Sequence, residues 1–222
     1  MLSTLVILLL NFLPWPLRRL ILVRCFGYSI HPSARIGFSF IKPRRLVMEE
    51  NSRIGHLTAG VHLDLIHLKP HAIVGNGNWI TGFPGGSSTH FAHQPERRSE
   101  LVLGEHSAVT NRHLIDCTGG VTIGRFTTVA GFRSQILSHS IDLKENRQHA
   151  AGVTIGAFCF VGTGCVILGG SSLPDFSVLG AGSLLNKQLA GSRFLYAGCP
   201  AKPIHELPEN LAYFHRVAGY VE

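Results

Sequence analysis

The sequence predicts an all-β fold, a triangular parallel β-solenoid with three short strands to each coil. Three observations carry that reading. Aliphatic residues recur every six positions through the last quarter of the chain: Ile155, Val161, Ile167, Leu173, Leu179 and Leu185. A beat of six fits neither a helix, at about 3.6 residues per turn, nor a half-buried strand, which alternates. Small residues stand beside these aliphatics, and Gly156, Gly162 and Gly180 directly follow three of them. They let the backbone turn tightly and let neighbouring coils approach. Composition agrees: 222 residues with 25 glycines, 45% hydrophobic and only 15% charged, suit many corners and a core buried coil by coil.

The chain divides into three parts. Residues 1–28 are an apolar and basic N-terminal segment. Met1 to Leu13 is nearly all apolar, Pro14 and Pro16 flank Trp15, and Arg18, Arg19 and Arg24 then punctuate Leu, Ile and Val. The first run is too short to cross a bilayer comfortably. No basic stretch precedes it and no small-residue cleavage site follows, which argues against a secretory signal. Two readings stand side by side: an interfacial anchor on the cytoplasmic face of a membrane, or a helix covering the open end of the solenoid.

Residues 29–204 form the solenoid. Ile30 and Ile36, then Met48 and Ile54, then Leu68, Val74 and Ile80 keep the beat. Residues 81–100 break it with a Gly/Ser-rich and then charged stretch, which reads as a loop ejected from one corner. The beat returns at Leu103, Val109 and Ile115, slips by two to Ile123, and holds to Val129. A second excursion covers roughly 138–152, and six clean hexads follow. Residues 205–222 read as a C-terminal helical tail.

The net charge of +7 and a pI near 9.5 favour anionic partners, either a phosphorylated cofactor or an acidic membrane surface. No basic run interleaves with aromatics, which argues against nucleic acid. The five cysteines are odd in number and form no CxxC pair. They read as free thiols of a reducing compartment, mostly packing residues rather than nucleophiles.

The motifs GGVTIG, SHS, VTIG, LGAGSLLNK and AGCPAK occur in that order over residues 119–204. Together they resemble the hexapeptide-repeat acyltransferases, over roughly 30–204, and within them the branch that O-acetylates sugars. The resemblance implies a left-handed β-helix, acetyl-CoA as donor, no metal, and a homotrimer with active sites between subunits. It implies that His139 is the catalytic base. Thr163, Ala181 and Gly182 then match the groove for the pantetheine arm, and Lys187 and Lys202 match positions that meet the cofactor phosphates. Asn111 and Asp116 match acceptor-binding positions if one residue is inserted before GGVTIG. Phe160 departs from the Trp usual in the sugar acetyltransferases.

Acetyl transfer from a thioester to a hydroxyl needs a base, a donor for the tetrahedral oxyanion, and alignment of both substrates. His139 ends a hydrophobic strand, stands between Ser138 and Ser140, and opens a polar loop. Its plain alternative is a corner cap bonded to a backbone carbonyl. Its orienting partner is Asp116, Asp142 or Glu145. Nothing suggests an activated serine. Lys187, Lys202 and Arg193 have the plain reading of exposed charges. His62, His67 and His71 have ligand-like spacing for zinc, as in the γ-class carbonic anhydrases of the same fold. His90 and His93 read as contacts to acceptor or solvent.

The expected function is transfer of acetyl to a sugar hydroxyl in surface-polysaccharide biosynthesis, by a cytoplasmic enzyme at the inner face of the plasma membrane. The alternatives are N-acylation of an amino sugar nucleotide, a zinc hydratase, and a non-catalytic scaffold.

Overall fold

A computed structural model describes residues 2–86 and 89–221. Twenty-one of its strands stack as three parallel sheets of seven coils, and two hairpins complete the set. The solenoid is a left-handed parallel β-helix. The beat of six is one inward side chain per strand. On the first face Ile30, Met48, Leu68, Leu103, Ile123, Ile155 and Leu173 lie in direct register. On the second, Val74, Val109, Val129, Val161 and Leu179 do the same, and on the third Ile80, Ile115, Ile136, Ile167 and Leu185. All are buried in one core, each side chain contributing about 1.5–3 kcal/mol by leaving water.

The corner between the second and third faces is held by a column of polar side chains. Ser39, Thr58, Asn78, His113, Ser134 and Cys165 occupy one position in successive coils. Each of the first five accepts a backbone N–H from the next: Thr58 N–H donates to Ser39 Oγ, Asn78 N–H to Thr58 Oγ1, His113 N–H to Asn78 Oδ1, Ser134 N–H to His113 Nδ1, and Cys165 N–H to Ser134 Oγ. Because Nδ1 of His113 accepts, its proton sits on Nε2, which donates to Thr110 Oγ1 at 3.0 Å. Burial pushes the His113 pKa down to about 4.

The N-terminal segment forms two helices, α1 (Leu2–Leu9) and α2 (Trp15–Phe26), the second ending at Gly27 with φ +68°. Leu10 and Leu22 join the solenoid core. Arg18 is buried and donates to the carbonyls of Ile36, Gly37 and Ser39 at 3.3, 2.8 and 3.2 Å, and Arg19 donates to Ile30. Two of the three arginines read from sequence as anchor charges therefore cap the first coil. Leu5, Leu8, Leu9, Phe12, Leu17 and Leu20 remain exposed on the outer side.

The C-terminal helix expected over 205–222 is reduced to one 3-10 turn, Ala212–His215. Before it, Phe194–Gly198 continues the second face and pairs antiparallel with Ala201–Glu206, which covers the last open edge. The tail is then held extended across the solenoid. Tyr213 Oη donates to Cys159 O, Arg216 donates to Phe126 O, and Phe214 packs edge-on against Phe176.

Candidate active site

Both excursions leave the same corner, between the third and first faces. One joins the strand Trp79–Thr81 to Glu100–Leu103, the other joins Gln135–Leu137 to Val153–Ile155. A single plain corner, 117–120, separates them, so they rise about 10 Å apart at roughly 4.8 Å per coil. The second excursion is a hairpin, His139–Asp142 paired with Arg147–Ala150. Gln94 of the first clamps it, donating from Nε2 to Ala150 O at 2.8 Å and accepting Ala150 N–H at 3.0 Å. Together they wall a cleft of about 480 Å³ beside Phe91, His93 and Gln148. Phe91 sets its ring edge-on to His139, centroids 6.2 Å apart.

His139 and Asp116 form a dyad here. Asp116 ends the strand Leu114–Asp116, and His139 follows the next coil's strand, Gln135–Leu137, to which it pairs. His139 Nδ1 lies 2.7 Å from Asp116 Oδ2. A carboxylate accepts only, so Nδ1 carries the proton and Nε2 keeps its lone pair. The His139 side chain is 41% exposed and that of Asp116 only 6%. The carboxylate is locked in place. Oδ1 accepts Thr118 N–H at 3.2 Å and Thr118 Oγ1–H at 2.6 Å, and Oδ2 accepts Ser138 N–H at 3.0 Å. Ser138 Oγ, in turn, accepts Gly119 N–H.

Asp116 is therefore a correction to the expected acceptor contact. It is buried beneath His139, with both oxygens engaged, and orients the ring. Asp142, the alternative partner, turns back on its own loop and accepts the N–H groups of Lys144 and Glu145. Asn111 also has an internal partner: its Oδ1 accepts Asn76 N–H at 2.7 Å across a corner of the second face. Cys117, next to Asp116, is fully buried; burial, and secondarily the Asp116 charge, push its thiol pKa well up, which leaves it a packing residue.

The other matched positions gather one corner away. Thr163, Ala181 and Gly182 stand where the chain enters third-face strands, whereas His139 and Lys187 stand where it leaves them, so five residues of strand, about 16 Å, separate the two edges. Gly164 and Gly182 both have positive φ, +67°, with open space where a Cβ would stand. The same position in earlier coils carries Leu57, Gly77, Arg112 and Arg133. After Arg112 and Arg133, the corner is open at this position in the last two coils, where Gly164 and Gly182 stand. Thr163 Oγ1 bonds both N and O of Phe132, holding this corner. Lys202 pairs with Ala197 near the same corner, where Gly198 N–H donates to Ser183 Oγ. Lys187 lies on His139's corner instead.

The three histidines of zinc-like spacing do not converge. His67 Nε2 meets Glu49 Oε1 at 2.5 Å, while the His71 ring stacks on His106 at another corner. Among the described residues no group of three His, Cys, Asp or Glu is placed to hold a metal. Sequence reasoning missed Thr118, Ser138 as a carboxylate donor, Phe91 and Gln94. Only the coil-to-coil stacking brings them to the dyad.

No family model matches this chain, and no curated protein matches it. Solved structures do. A mutant of AntD, an N-acyltransferase from Bacillus cereus solved with dTDP-4-amino-4,6-dideoxyglucose and coenzyme A, is 11% identical, with a TM-score of 0.54 over 87% of this chain and 91% of that one. A hexapeptide-repeat-containing acetyltransferase from Vibrio cholerae, solved with acetyl coenzyme A, is 22% identical, with a TM-score of 0.46 over 49% of this chain and 61% of that one. The polySia-specific acetyltransferase NeuO is 16% identical, with a TM-score of 0.48 over 81% of each chain. This chain thus spans less than two thirds of the Vibrio protein, 61% and 64% in its two structures. At such identities the likeness is one of fold.

Proposed function

We propose that this protein is an acyltransferase that moves acetyl from acetyl-CoA to a sugar hydroxyl, with His139 as general base. One observation carries the reading: a half-exposed imidazole whose Nδ1 is bound to a buried, fully engaged carboxylate, with the Phe91 ring of the first excursion set against it. His139 Nε2 takes the hydroxyl proton as the acceptor oxygen attacks the thioester carbonyl. Asp116 stabilises the imidazolium that forms. The tetrahedral intermediate then collapses, the C–S bond breaks, and the departing sulfur takes the proton from Nε2. No covalent enzyme intermediate is needed. Coenzyme A and a sugar nucleotide bound to the AntD mutant are compatible with a coenzyme A donor and a sugar acceptor.

The donor's pantetheine arm would run along the open corner of Thr163, Gly164, Ala181 and Gly182, with Lys202 beside its phosphates. Lys187, on the other corner, would serve a cofactor lying along a neighbouring subunit. Since one chain's open corner and its imidazole are about 16 Å apart, a homotrimer that sets one subunit's corner against the next subunit's dyad completes the site. Asn111 would act only through the corner it holds. The surface-polysaccharide acceptor and O- rather than N-acetylation rest on the sequence resemblance and on a dyad suited to a hydroxyl, whose proton must be removed.

Labelled acetyl-CoA offered with a panel of sugars, amino sugars and glycolipids tests the reading. His139→Ala is expected to lose about 10²–10⁴-fold in rate and to keep its melting temperature. A variant as active as the wild type would remove the base. The exposed apolar side of α1 and α2 also fits a membrane surface. There, Leu9→Glu/Phe12→Glu should abolish co-flotation with anionic vesicles while leaving the fold intact, and unchanged flotation would end that part of the reading.

A further inference from the structure

On the N-terminal side of the dyad, the same corner carries a second concavity of about 310 Å³, bounded by Arg44, Arg45, Asp64, Arg97, Arg98 and Glu100. Four guanidinium groups here face two carboxylates. Asp64 is already engaged: it pairs with Arg44 at 2.9 Å and accepts the N–H groups of Gly85 and Ser99. Glu100 and Arg45 lie two coils apart, about 10 Å, in the register of the first face. Neither Arg45 nor Arg98 has an ion-pair partner among the described residues. Arg97 is held by carbonyls alone, those of Phe83, Thr118 and Pro84. Carbonyl dipoles fix its plane, and the nearby Asp64 and Asp116 carboxylates favour its charged form.

The concavity is coupled to the dyad through two contacts. Arg97 stacks on Phe91, its Cζ 4.2 Å from the ring centroid, and Phe91 is the ring set against His139. Arg97 also donates at 2.7 Å to the carbonyl of Thr118, whose hydroxyl holds Asp116. Two unpaired guanidinium groups, Arg45 and Arg98, on a concave surface whose third arginine, Arg97, buttresses the base, recognise an anion.

We propose that this concavity is an anion-binding subsite that holds a phosphate or carboxylate group of the acceptor, so that the substrate is an acidic or phosphorylated glycan rather than a neutral sugar. The assignment rests on the acyl-transfer reading for its role, but the binding itself does not.

Calorimetric titration of the full chain with glucose 1-phosphate, glucuronate, glucose and coenzyme A tests it. The comparison is wild type, His139→Ala and Arg45→Ala/Arg98→Ala, the last pair being exposed and outside the core. Wild type and His139→Ala should bind one of the two anionic sugars at least about tenfold more tightly than glucose, and more weakly as salt is raised. Whichever of the two wins identifies phosphate or carboxylate as the ligand. The double arginine variant should lose that preference and keep its affinity for coenzyme A. Equal binding of charged and neutral sugars by the wild type overturns the subsite, and so does an unaltered preference in the double variant. Loss of coenzyme A instead of sugar assigns the arginines to the donor's phosphates and also overturns it. If arginine-dependent binding holds but no acetyl is transferred to any acceptor, the acyl-transfer reading falls and the subsite stands.

Discussion

Exchanging Asp116 for Asn isolates what the dyad does. The two side chains have the same shape, but an amide donates on one side where a carboxylate accepts on both. In the native site one oxygen receives Thr118 N–H and Oγ1–H, and the other receives Ser138 N–H and His139 Nδ1–H. With its NH₂ toward His139, Asn meets Ser138 N–H donor to donor and forces the ring to carry its proton on Nε2, where the base must be unprotonated. With its NH₂ toward Thr118, it sets a donor against Thr118 N–H. The first arrangement removes the base, so kcat should fall by about 10²–10⁴, the range of general-base catalysis. Either arrangement leaves a buried donor unpaired, which costs about 1–3 kcal/mol of stability. The KM for acceptor should stay within a few-fold, because Asp116 is buried and does not reach substrate. Initial rates over a range of acceptor, with urea unfolding of the same samples, read all three. A normal kcat with a raised acceptor KM would refute the positioning role and restore Asp116 as an acceptor contact.

Arg18→Ala should destabilise the chain by roughly 2–4 kcal/mol, because three first-coil carbonyls lose their donor in a buried setting. A loss below about 1 kcal/mol in urea unfolding would show that water replaces the guanidinium. Acid should weaken the fold through His113. Unfolded, the ring titrates near its ordinary 6.5; folded, burial holds it at about 4. Between those values the unfolded chain binds a proton that the folded chain does not. Stability is therefore whole above pH 6.5 and falls by on the order of 3 kcal/mol as the pH drops through the folded value. His113→Asn, which copies the Asn78 rung, should flatten that slope, and an unchanged slope would assign the acid loss to other groups.

The resemblance marked His139, and the strand-ending position between two serines agreed with it. Asp116 was visible as one of three partners, and the choice among them lay outside the sequence. Asp116 and His139 are 23 positions apart, and the distance between them depends on how many residues each intervening corner absorbs. In the folded register Asp116 stands against Leu137, two residues before His139. Loop contacts were less legible still. Phe91, Gln94 and Arg97 sit in a stretch without periodicity, so nothing local announces that they close on the second excursion. The N-terminal arginines left two readings open because charge beside an apolar run looks alike whether it faces lipid or a row of carbonyls.

By itself the sequence determined the solenoid, its three faces, the sites of both excursions and the inward ladder. One knob per six residues is a local rule, satisfied or broken within a few positions. Only the tertiary structure decided which carboxylate holds the imidazole, that the open corner and the base stand on different edges of one face, and that arginines from two separate segments share one concavity. Those juxtapositions come from stacking coils at about 4.8 Å, which adds up corner lengths over tens of residues and leaves no local trace.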